Sequence, residues 1–97
     1  MDEQKLKRES GDIMSIVKSF SEVDLSGLKV PTIVIYDKPS DFPEQCVARV
    51  FDGNYPTDVY MVADCLWILK FDIEKNTNLY FIPREAADER QIAGVYL

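Results

Sequence analysis

PTIVIYDKPSDFPEQCVARVFDGNYPTDVYMVAD, residues 31–64, decides how this chain folds. Three runs rich in β-branched and aromatic residues stand in it, Thr32–Tyr36, Cys46–Phe51 and Asp58–Ala63, separated by clusters of Asp, Pro, Ser, Gly and Asn. The runs suit a pleated, half-buried surface and the clusters suit turns, so an antiparallel meander is predicted. Pro31 lacks an N–H and fits the start of a strand. The loop at 37–45, DKPSDFPEQ, holds Pro39 and Pro43, whose fixed φ angles make it stiffer than its length suggests and a suitable place for recognition. In the second run Arg49 shares one face with Val47 and Phe51, where it either snorkels to the sheet edge or pairs with a carboxylate, a structural pairing being expected ahead of a ligand-binding role.

After the meander, Asp64 reads as the N-cap of a helix from Cys65 to about Ile73 or Glu74, with Leu66, Leu69 and Ile73 turned inward. Trp67, Ile68 and Phe71 make the same helix apolar on its other side, which calls for a second covering element. Leu79–Ile82 and Ile92–Leu97 read as two further strands, with Gly94 permitting a bulge or a close approach. Ahead of the meander, Ile13, Ile16, Val17 and Phe20 recur at helical spacing behind Asp12, so an N-terminal helix is predicted there and a frayed lead over residues 1–11. The fold expected is α+β, in the order α-β-β-β-α-β-β: an N-terminal helix and an antiparallel sheet of about five strands with one helix packed across it. Residues 1–97 form one domain in this reading, with 12–29 an added helix and connection and 30–97 the body.

The chain has 97 residues and a net charge of −6, and residues 30–97 carry 11 of the 17 acidic side chains against 6 of the 11 basic ones. An acidic body repels phosphate backbones, so no direct nucleic-acid binding is expected, while docking on a basic protein surface is compatible with it. No apolar run approaches the length of a membrane span, and the N-terminus has no signal-like segment, so a cytoplasmic location with no membrane association is expected. There is no histidine, and Cys46 and Cys65 read as small buried side chains. The four glycines form no phosphate-cradling loop, and the acids at 37, 41 and 44 lack the ligand order of a calcium loop. No catalytic residue, metal or cofactor is therefore predicted.

Tyr36, Pro39, Asp41, Pro43, Val47, Arg49, Phe51, Asp52, Pro56 and Asp64, followed by Ile82-Pro83-Arg84, Asp88 and a final apolar strand, carry a resemblance over residues 32–97. In this pattern the chain resembles the small uncharacterised proteins of phages and prophages of Gram-positive bacteria. That group implies no reaction. The chain departs from it in residues 1–29 and in placing Trp67 and Phe71 on the helix, and the added N-terminal helix would cover those two side chains.

The function expected is a non-enzymatic phage or prophage accessory protein that binds and modulates a bacterial host protein. Its sharper form is an anti-defence inhibitor occupying a nucleic-acid site through an acidic surface. The protein-binding candidates are Trp67, Phe71, Ile68, Asp41, Glu44, Asp88 and Glu89. The alternatives are a nucleotide-binding or sequestering protein using Arg49, Arg84 and Tyr36, and a homo-oligomer, a homodimer in its simplest form, joined through Trp67 and Phe71.

Overall fold

The computed structural model describes residues 15–85 and 91–97. One mixed sheet of six strands organises them: β1 (Ser15–Val17), β2 (Pro31–Asp37), β3 (Cys46–Asp52), β4 (Tyr55–Ala63), β5 (Phe81–Pro83) and β6 (Ile92–Tyr96), in the spatial order β1-β4-β3-β2-β6-β5. Among the described residues one α-helix, α1 (Leu66–Asn76), follows β4. The meander β2-β3-β4 is antiparallel with Ile33 opposite Val50 and Ala48 opposite Met61. β6 joins the free side of β2, also antiparallel, and β5 closes that edge.

Over the described part of its span, from Ser15 on, the expected N-terminal helix is not formed. Residues 15–17 are instead a strand, parallel to β4, with Ile16 beside Tyr60. The chain then makes two short 3-10 turns, Phe20–Glu22 and Leu25–Gly27, capped by the side chains of Ser19 and Asp24. Two adjacent β-branched residues, Ile16 and Val17, are stiff at χ1 and fit an edge strand better than a helix flanked by serines. The expected order α-β-β-β-α-β-β and the all-antiparallel sheet of about five strands are corrected accordingly. Asp12 and the lead at 1–11 lie outside the described residues.

The core lies on one face of the sheet. Ile33 and Ile35 of β2, Cys46, Ala48 and Val50 of β3, Met61 and Ala63 of β4, and Tyr96 of β6 pack beneath Leu69 and Ile73 of α1 and beneath Phe20. Phe20 is fixed twice, by burial and through its backbone N–H, which donates to Asp72 Oδ1 at 2.7 Å. Asn76 Nδ2 donates to the Asp72 carbonyl at 2.9 Å and steadies the same turn of helix. At the helix end the Thr77 N–H and hydroxyl both donate to the Ile73 carbonyl, closing α1. At its start the expected Asp64 cap is absent: Cys65 occupies the N-cap without a side-chain hydrogen bond. Asp64 instead accepts from Gln45 Nε2 at 3.3 Å, so its carboxylate ties the 37–45 loop to the end of β4.

Tyr96 is fully buried and donates its hydroxyl to Glu74 Oε2 at 2.6 Å. Burial, then the Glu74 carboxylate, push the phenol well above its ordinary value of 10.0. The folded chain therefore holds this proton where the unfolded chain releases it, and the contribution to stability is complete below about pH 10 and lost as pH rises beyond it. Tyr96→Phe is expected to cost roughly 1–2 kcal/mol at neutral pH. Urea titrations at pH 7 and 10.5 should show the gap to the wild type narrowing at the higher pH; a constant gap would assign the cost to packing alone.

Candidate functional site

The loop after β2 is built to fold back over the sheet. Asp37 donates its N–H to the Gln91 carbonyl, and Lys38 then takes a left-handed conformation at φ 53°, which turns the chain sharply. A lysine adopts that conformation at some cost, so the turn depends on the hydrogen bonds made by residues 39–45. Phe42 N–H donates to the Pro39 carbonyl at 2.9 Å and Gln45 N–H to the Phe42 carbonyl at 3.1 Å, two tight turns in succession. The result carries Phe42 onto Tyr60, edge to face, with ring centroids 5.8 Å apart.

Between loop and sheet lies an open cleft of about 210 Å³. Tyr36, Val47, Arg49 and Tyr60 come to it from the strands, and Pro39, Asp41 and Phe42 from the loop. The face is the one opposite α1, because strand alternation sends Val47, Arg49 and Tyr60 away from Cys46, Ala48 and Met61. Arg49 is held by its Nε, which donates to the Thr57 carbonyl at 2.8 Å. The register between β3 and β4 slips just there, between Arg49 and Phe51, and Thr57 uses its hydroxyl to donate to the Val50 carbonyl at 2.7 Å. A local irregularity of the ladder thus supplies the acceptor that aims the guanidinium. Its carbon also stands 6.0 Å from the centre of the Phe51 ring. Among the described residues no carboxylate lies within ion-pair distance of Arg49 and no cation within ion-pair distance of Asp41.

The same face continues past Arg49 into a shallow hollow of about 390 Å³, where Val30, Val34, Phe51, Val95 and Leu97 are the apolar members. Val30 and Leu97 are each about half exposed, at 53% and 51%. Ile16 on one flank of the face and Ile82 on the other are exposed as well.

Of the residues singled out from sequence, Tyr36, Arg49 and Asp41 meet in the cleft, whereas Glu44 is exposed on the loop outside it. Arg84 follows β5, its N–H donating to the Ala93 carbonyl, and is not a cleft residue. On the opposite side of the molecule Trp67 and Phe71 project from α1 at 67% and 60% exposure, while Ile68 packs against the core. Among the described residues no helix covers them, and both side chains stand exposed, so the expected cover is corrected to that extent. Asp88 and Glu89 lie outside the described residues. Phe42 and Val47 were not foreseen as site residues; for Phe42, a lone aromatic between two prolines in an otherwise polar loop was the available signal.

Cys46 is buried, and burial followed by a hydrogen bond to Asp37 pushes its thiol up, the opposite of what a nucleophile needs. Among the described residues no helix is long and apolar enough to cross a membrane. The chain matches no protein-family model, no curated protein and no solved structure.

Proposed function

We propose that this chain is a non-catalytic binding protein that holds a partner protein against the open face of its sheet. The observation that carries the reading is the apolar character of that face. An antiparallel sheet covered on one side ordinarily alternates apolar inward with polar outward. Here Val30 and Leu97 are exposed and Phe51 and Val95 partly so, over a buried Val34, with Ile16 and Ile82 exposed at the flanks. Contiguous apolar surface of this kind marks interaction sites. The acidic surplus of residues 30–97 favours a partner with a basic rim and speeds its approach. The phage-like pattern of residues 32–97 gives the sharper form, an accessory factor that occupies the nucleic-acid site of a bacterial protein.

Val95→Glu places a charge in the middle of the face without touching the core. With the fold intact, it is expected to abolish capture of the partner from host lysate, while Trp67→Ala on the helix leaves capture unchanged and stability within about 1 kcal/mol. Equal capture by wild type and Val95→Glu would overturn the proposal. A wild-type mass in solution that falls with Trp67→Ala and not with Val95→Glu would favour self-association through Trp67 and Phe71, the reading that their exposure supports.

A further inference from the structure

The cleft beneath the 37–45 loop has a composition that protein docking on the open face does not require. Among the described residues that line it, three are aromatic, one is an arginine and one an aspartate, with Pro39 and Val47 beside them. We propose that it binds a small molecule combining a planar, N–H-bearing ring with an anionic group, the chemistry of a purine nucleotide or of an indole carboxylate.

Size sets the first limit. Drug-sized ligands fill roughly 300–1,000 Å³, so a cleft of about 210 Å³ takes a single ring system and leaves its substituent at the mouth. Ring chemistry sets the second: Tyr60 is buried as the floor against which Phe42 packs at 62°, and the half-buried Phe42 and Tyr36 bring aromatic surface to the cleft for a flat group.

Charge sets the third. In a chain of net charge −6, Arg49 stands among Tyr36, Val47 and Tyr60 without a carboxylate in reach among the described residues. Its Nε is already bound to Thr57, which fixes the plane of the guanidinium and leaves the two terminal nitrogens, four N–H groups, to meet an anion. An arginine so oriented suits a phosphate or carboxylate, which accept two parallel N–H bonds. Asp41 comes to the cleft from the loop and brings carboxylate oxygens that accept hydrogen bonds. It suits a ring edge that donates N–H and disfavours one that only accepts.

The site is also formed before any ligand arrives. Pro39, Pro43, two backbone turn bonds and the Gln45–Asp64 hydrogen bond fix the loop, so little ordering remains to be done on binding. Arg84, although basic, does not line the cleft and has no part in the proposal.

The test uses the isolated full chain, so its outcome is separate from that of the partner-protein reading. Adenosine and guanosine 5′-monophosphates, their nucleosides, indole-3-acetate, 3-methylindole and inorganic phosphate are titrated while the amide signals of Phe42, Val47 and Tyr60 are monitored by NMR. Expected is saturable movement of those signals with the nucleotides or with indole-3-acetate, and which of them binds tells the phosphate source from the carboxylate. Removing the anionic group should weaken binding at least about tenfold, and inorganic phosphate alone should not saturate the signals. Arg49→Gln should close the gap between the anionic and neutral ligands. Asp41→Asn, on the exposed loop, is the second variant and should weaken the ring-bearing ligands even if Arg49→Gln fails to fold. No saturable movement with any probe at millimolar concentration, or binding indifferent to both substitutions, would overturn the proposal.

Discussion

Replacing Gly94 with alanine is expected to lower stability by about 2–4 kcal/mol, on the order of 10–20 °C in melting temperature for a domain of this length. Gly94 lies in β6 between Ile35 of β2 and Pro83 of β5. A Cβ built there would run into the Phe81 ring and stand 2.9 Å from the Ile82 carbonyl oxygen. The carbonyl belongs to the backbone of the paired strand and cannot turn aside. Nor is the ring free to leave without loss: its centroid is 5.2 Å from that of Tyr96, and the Lys70 ammonium stands 4.0 Å above it. Thermal and urea denaturation of Gly94→Ala measure the effect. Truncating the ring in Gly94→Ala/Phe81→Ala should cost less than the sum of the two single changes, since the first clash is then gone. Additive losses, or a loss below about 1 kcal/mol for Gly94→Ala, would mean that the ring does not seat over this position.

The meander was legible because its strands obey a period of two and its turns use the residues that turns require. Ile33, Ile35, Ala48, Val50 and Met61 alternate cleanly with outward neighbours, and any shift of register by one would reverse them all. The inward stripe of α1 was legible for the corresponding reason, with Leu69 and Ile73 fully buried at helical spacing. What the pattern does not contain is the third dimension of the 37–45 loop. Two prolines signal stiffness, yet nothing in DKPSDFPEQ states that Phe42 turns back onto Tyr60, or that a slipped register between β3 and β4 will turn the Thr57 carbonyl toward Arg49. Arg49 was expected to snorkel or to pair with a carboxylate; its acceptor is instead a backbone carbonyl, which leaves the side chain's terminal nitrogens uncommitted and is a property of the bulge. The arginine and the aspartate are thus candidates in the sequence and become one site only through the loop.

Phe20→Ala is expected to cost about 3–4 kcal/mol, and Ile16→Ala no more than about 1 kcal/mol. The pair decides between two readings of the same spacing. Ile13, Ile16, Val17 and Phe20 share one face of a helix, and in that arrangement Ile16 and Phe20 would be buried together and cost alike. In the structure β1 ends at Val17, and Phe20 begins a 3-10 turn beneath α1 at 1% exposure, whereas Ile16 is 58% exposed beside Tyr60. Truncating Phe20 leaves a cavity under the helix, next to the Phe20 N–H that Asp72 holds. Truncating Ile16 removes apolar surface from the open face and little else. Urea denaturation separates the two, and equal losses would restore the helical reading. Capture of the partner should respond in the opposite order. Ile16→Ala, harmless to folding, trims the flank of the proposed docking face, so weaker binding at unchanged stability is the combination that links this edge strand to function.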